Sequence, residues 1–135
     1  MNERPIHFTG AMVRAILNRT KSATRRVVKG QTEHTKCPYG APGDRLWVRE
    51  TWHPALRFGT EYEIEYKADG ASRMIDAGWD GPTPAIDAAI DAGWQVPPTM
   101  PRWASRITLQ ITAVRIERAH DDSPWVWVLD FVRVG

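Results

Sequence analysis

One hundred and thirty-five residues with 10 Pro, 10 Gly, 7 Trp and a single Cys exclude several protein classes at once. A lone cysteine cannot build a disulfide framework or a cysteine-rich zinc site, and it fits a reducing cytosol. No apolar run approaches the roughly 18 residues of a membrane span, and Met1–Pro5 lacks the apolar stretch of a secretory signal, so a cytoplasmic protein with no membrane partner is expected. The length is that of one domain, residues 1–135, large enough to bury its own core.

Net charge is only +2, but it is unevenly spread. Residues 1–60 hold eleven Arg or Lys against four acids, residues 61–100 two against eight, and the last 35 five against four. Fourteen of the 18 basic residues are arginine, the side chain suited to bidentate phosphate contact and to stacking on bases. A basic half of this kind points to an anionic partner, or to a surface that complements itself between halves.

In chain order, Met12, Val13, Ile16 and Leu17 share a helical stripe, predicting a helix over Gly10–Arg19 with Thr9 as its N-cap. A short strand is expected at Arg25–Val28. From Gly30 to Gly43 the chain reads as loop, with turn chemistry at Cys37-Pro38-Tyr39-Gly40 and Pro42-Gly43-Asp44. Arg45–Trp52 alternates as a strand, with Leu46, Val48 and Trp52 on one face. Glu50 shares that face, so it lies at a strand end or points into a cavity. Glu61–Lys67 alternates more clearly, Tyr62, Ile64 and Tyr66 inward and the glutamates outward.

Residues 68–99 form an acidic, Gly/Pro-rich insertion, with a short helix at Pro84–Ala92 opened by Thr83-Pro84. Ile-Asp-Ala-Gly-Trp occurs twice there, and Trp79 and Trp94 are expected to pin the insertion to the body; a mobile lid is the alternative. Arg106–Arg118 is the longest strand, its phase slipping near Thr112-Ala113 as at a bulge. After a turn at His120–Pro124, the doubly apolar run Trp125–Val132 reads as a buried strand. Strands outnumber helices without regular βα alternation, so the fold class is α+β and β-dominated: five to six strands with one or two packed helices.

Three constellations bear on chemistry. His34 and Cys37 stand three apart, but His7, His53 and His120 offer no matching ligand spacing, so neither a metal nor another cofactor is expected. In Lys21-Ser22-Ala23-Thr24-Arg25-Arg26, a lysine whose pKa is lowered by neighbouring cations could activate a nearby hydroxyl, given a carboxylate to shuttle a proton. Gly43–Trp52 and Met100–Arg106 interleave Arg with Trp. That pattern suits base stacking beside phosphate contact and equally suits core tryptophan with flanking surface arginine.

These same segments resemble ASCH domains, relatives of the PUA RNA-binding fold. Ile16-Leu17 followed by Lys21-x-x-Thr24-x-Arg26 is similar to the ASCH signature. Cys37-Pro38-Tyr39-Gly40, Pro42–Trp52, Met100–Ile107 and Pro124–Val128 are similar to its phage and prophage branch, over residues 5–67 and 97–134. The resemblance implies a small PUA-like β-barrel with a cleft lined by the Lys-x-x-Thr-x-Arg segment, RNA or a modified nucleoside as partner, and the host cytoplasm as location if phage-encoded.

Some ASCH proteins are amidohydrolases acting on 4-acetylcytidine through Lys, Thr and Glu; another has ribonuclease activity. Carried over, Thr24 is the nucleophile, Lys21 its activator and Arg26 an anion or fold contact. The chain departs from the family twice. Arg19-Thr20 stands where Gly-Arg is usual, removing a flexible position at the helix end. The segment expected to carry the catalytic glutamate is reduced to His120–Ser123, so Glu50 or Asp121 substitutes, or hydrolysis is lost and binding remains. The site expected from all this comprises Lys21, Thr24 and Glu50 as catalytic groups. Nucleic acid would be bound by Arg25, Arg26, Arg45, Trp47, Arg49, Arg102, Trp103 and Arg106. Trp52 is expected beside them at the cleft, and Trp125 and Trp127 in the core.

Overall fold

Residues 2–29 and 36–135 are described in the computed structural model, and they form eight strands, two helices and two short 3₁₀ turns. In order these are β1 (Glu3–His7), α1 (Gly10–Leu17), β2 (Ala23–Val27), β3 (Arg45–Arg49), β4 (Trp52–Phe58), β5 (Glu61–Tyr66), β6 (Ser72–Asp76), α2 (Pro84–Ala92), β7 (Thr108–Glu117) and β8 (Val126–Arg133). The 3₁₀ turns at Pro97–Thr99 and Arg102–Ala104 lie between α2 and β7. The molecule is thus small, α+β and strand-dominated. No helix among the described residues is long and apolar enough to cross a membrane.

The strands make two sheets, β1-β3-β7-β8-β2 and β4-β5-β6. Only β1 and β3 run parallel; every other pairing is antiparallel. Two of the expected helices appear with their caps. Thr9 Oγ1 accepts from Met12 N and α1 packs Val13 and Ile16 inward, while Thr83 caps α2 over the expected Pro84–Ala92. Tyr62, Ile64 and Tyr66 are all fully buried along β5, and the β7–β8 ladder shifts register between Ile111 and Ala113, the bulge foreseen from the slipped phase.

The strand count is higher than expected because two strands lack an apolar signature and one expected strand divides in two. In β1, Pro5 and a single buried residue, Ile6, leave no alternation to read; pairing with β3 makes it a strand. β3 and β4 look continuous in sequence, yet the chain leaves one sheet at Arg49 and enters the other at Trp52. β6 is mostly exposed and is recruited by its ladder to β5. The first sheet is not closed into a barrel: β1 and β2 are its two edges, with no ladder between them.

Residues 68–99 are not a surface elaboration. They supply β6 and α2, and Ile75, Ala77, Ile86 and Ile90 pack on the second core with Trp52, Tyr62, Ile64, Tyr66 and Met100. The expected tryptophan anchors differ accordingly. Trp79 is 93% exposed and pins nothing, and Trp94 is exposed with its edge toward His53. Trp52 is core rather than cleft, its Nε1 donating to Thr99 Oγ1 at 3.1 Å. Trp127 is buried as expected, whereas Trp125 is half-buried beneath Arg118.

α2 is fastened to β4 by His53. Its Nδ1 lies 2.7 Å from Glu65 Oε1 and its Nε2 2.8 Å from Ile90 O. Both partners are acceptors, so both bonds require the doubly protonated ring. Burial pushes the His53 pKa down, but the bonds to Ile90 O and Glu65 outweigh it and raise it above the ordinary 6.5. A raised folded pKa means stabilisation that is complete below about 6.5 and lost as pH rises through the folded value. The denaturation midpoint of wild type, measured relative to His53→Ala from pH 5 to 9, should therefore shrink toward alkaline pH; a constant difference would show that His53 holds α2 in its neutral form.

Candidate nucleic-acid interface

The unpaired edges β1 and β2 are drawn together by one side chain. Thr24 and Arg26 alternate inward on β2, while Arg25 points out to solvent. The Arg26 guanidinium crosses the gap, Nη2 donating to His7 O on β1 at 2.9 Å. It also lies over the rings of Phe8 (5.0 Å) and Tyr39 (5.9 Å). Arg49, at the end of β3, reaches the same seam with Nη1 at 3.4 Å from His7 Nε2 and anchors Nε on Met100 O at 3.1 Å.

Electrostatics at the seam are one-sided. Burial, then the positive charge of Arg26, lowers the Lys21 pKa. Burial, then Arg49 and Arg26, lowers that of His7. Among the described residues no carboxylate lies within ion-pair distance of Lys21, Arg26, His7 or Arg49. Of the two arginines after Lys21 in sequence, Arg26 adds to the effect of burial on Lys21, and Arg25 faces away.

Thr24 is the second unusual feature. It is 1% exposed, and among the described residues its Oγ1 has no hydrogen-bond partner, nor does the buried Nε of Arg26. An unsatisfied buried hydroxyl is a net cost to folding. Its position follows from the strand: Thr24 pairs with Leu129 on β8, so its side chain points among core residues.

Glu50 does not share this seam's charge network. It sits in the two-residue link between β3 and β4, 1% exposed, with both carboxylate oxygens taken by Arg106, Nη2 to Oε1 at 2.8 Å and Nε to Oε2 at 2.9 Å. Arg106 Nη1 reaches Asp69 Oδ2 at 3.0 Å, and its guanidinium lies 4.3 Å from the Tyr66 ring centre. This network occupies the junction of the two sheets, which explains why a charged residue shares the Leu46/Val48 face. Asp121 is fully exposed in its turn, beside Arg118.

The Arg/Trp motifs are mostly committed to structure. Trp47 is 7% exposed, with the guanidinium of Arg49 at 4.7 Å and that of Arg102 at 5.7 Å from its ring. Arg102 is itself bound to Glu3 at 2.6 Å. Trp103 is half-buried and stacks on Tyr62 with centroids 5.2 Å apart. Arg45 is half-buried on β3, its Nε without a partner among the described residues. None of these rings is a free stacking platform.

His7 and Tyr39 are the seam residues that sequence reasoning missed; His7 sits on the strand that carries no apolar pattern. His34 lies outside the described residues, so the His34/Cys37 pair is not placed. Among the described residues no three His, Cys, Asp or Glu side chains cluster as metal ligands would. The chain matches no family model, no curated protein and no solved structure.

Proposed function

We propose that the protein binds RNA or a modified nucleoside at the seam between β1 and β2, as an open PUA-like barrel of the ASCH kind, in the host cytoplasm if phage-borne. The observation that carries this reading is the gathering of Arg26, His7 and Arg49, with Lys21 near enough to feel the charge of Arg26, and with no acidic group among the described residues in ion-pair range. Like charges held together raise the free energy of the fold, and an anionic strand along the seam would relieve that cost. Arg26 is the organising member, because it spans both edges and sets the field at Lys21.

Binding to a single-stranded RNA oligonucleotide should therefore weaken with salt. Three or four phosphate contacts give a log–log slope of roughly −2 to −3. Titration at about 50 and 200 mM salt measures it, and an affinity that does not move between them would overturn the reading.

A second reading, amide hydrolysis on 4-acetylcytidine, is favoured by the unpartnered Thr24 hydroxyl. In that reaction Lys21, in its neutral form, would take the proton of Thr24 Oγ1 once substrate reached this buried hydroxyl, as the oxygen attacks the acetyl carbonyl. The tetrahedral adduct then expels the cytidine N4 amine, which takes that proton from Lys21 Nζ. Water hydrolyses the resulting acetyl-threonine ester, releasing acetate. With Glu50 engaged by Arg106, Lys21 alone carries the proton in this scheme.

A further inference from the structure

At the C-terminus of α1 the backbone closes in a Schellman motif, in which Thr20 N donates to Ala15 O at 2.9 Å and Arg19 N to Ile16 O at 3.0 Å. The position between Asn18 and Thr20 must turn left-handed, and Arg19 does so with φ of +60°. Among the described residues it is the one non-glycine with positive φ. Glycine is the usual occupant of this position because a Cβ there is strained. An arginine at such a place carries backbone strain that glycine would not.

That side chain borders a surface cavity of about 380 Å³ between the end of α1 and the end of β8. Arg19, Lys21 and Arg133 line it, with Ser22 beside them and Leu17 and Phe131 as its apolar floor. None of the described residues lining it is acidic. Among the described residues Arg133 is held by its Nε donating to the Gly135 carbonyl at 3.0 Å, which leaves its other donors for a ligand. Three cations, a hydroxyl and an apolar floor are the complement of a phosphate carried on a flat, largely apolar group.

We infer that the cavity between α1 and β8 is a phosphate-binding subsite for a nucleotide, with Arg19 and Arg133 as its anion contacts and Phe131 and Leu17 beneath the base. It extends the site around Lys21, and so rests on the reading of the protein as a nucleic-acid or nucleoside binder. Arg19 is the informative residue, because strain and function act on it in opposite directions.

The test is isothermal titration of the full chain with cytidine 5′-monophosphate, cytidine, and a short RNA with and without a 5′-phosphate. Arg19→Gly should raise Tm by about 2–4 °C through relief of the left-handed strain. It should also weaken cytidine 5′-monophosphate at least about tenfold. Arg133→Gln should weaken the nucleotide similarly at unchanged Tm, and cytidine should be insensitive to both. If only the 5′-phosphorylated RNA responds to the variants, the subsite takes a terminal phosphate; if both RNAs respond, it takes an internal one. Nucleotide binding unaltered by both variants, or absent from wild type, overturns the subsite. RNA binding by wild type together with nucleotide binding unaltered by both variants overturns the subsite and leaves the wider reading standing. Arg19-dependent nucleotide binding without any RNA binding upholds the subsite and removes RNA as partner.

Discussion

Arg106→Ala is expected to cost about 3–5 kcal/mol, because it leaves the Glu50 carboxylate in the sheet junction without its cation. Both Glu50 oxygens are bonded to Arg106, whose side chain is 7% exposed, so water cannot take over. A loss of this size is a large part of the stability of a domain of this length, and should lower Tm by roughly 10–20 °C. Asp69 does not rescue the site, since it too loses its bond to Arg106. The decisive control is Glu50→Leu with Arg106→Met, which removes both charges and refills the space. Replacing a buried pair by apolar groups is commonly neutral or better, so the double variant should recover most of the lost stability in urea denaturation. Its failure to recover would mean that the network supplies something that packing cannot. The double variant also separates two roles for Glu50. If wild type turns over 4-acetylcytidine and the double variant folds and does so too, Glu50 acts in structure; if turnover vanishes from a well-folded double variant, the Glu50–Arg106 pair is needed for the reaction.

Glu50 also shows how far a sequence can be read here. Its anomaly, an acid on an apolar face, is visible in the alternation of Arg45–Trp52. What resolves it is not visible, because its partner stands 56 residues away just before β7. Local patterns were legible wherever one face is buried and the other wet. The β5 alternation, the two helix caps and the β7 bulge all belong to this kind. Strands made by their neighbours rather than by their own residues were not: β1 and β6 carry too little apolar surface to announce themselves. The tryptophans misled for a related reason. Indole is amphipathic and suits core, rim and surface alike, and only tertiary contacts distinguish Trp52, Trp103 and Trp79. That Thr24 Oγ1 and Arg26 Nε are buried without partners among the described residues is likewise a tertiary fact, which no local pattern on β2 announces.

Thr24→Val carries the sharpest test of that segment, because stability and turnover should move in opposite directions. Valine keeps the shape and the β-branched preference for a strand and removes a hydroxyl that nothing in the described structure satisfies. Deleting a buried, unpaired polar group returns its desolvation cost, about 1–3 kcal/mol, so the variant should melt several degrees above wild type. If the hydroxyl is the nucleophile, hydrolysis of 4-acetylcytidine should fall roughly 10³-fold or more in the same protein. Thr24→Ser completes the comparison: it keeps the oxygen and deletes a buried methyl, so it should retain activity while losing about 1 kcal/mol. A Val variant that is less stable than wild type would show that Oγ1 has a partner after all. Unchanged turnover in Thr24→Val, or none in wild type, would remove the hydrolytic reading and leave binding at the seam as the function of these residues.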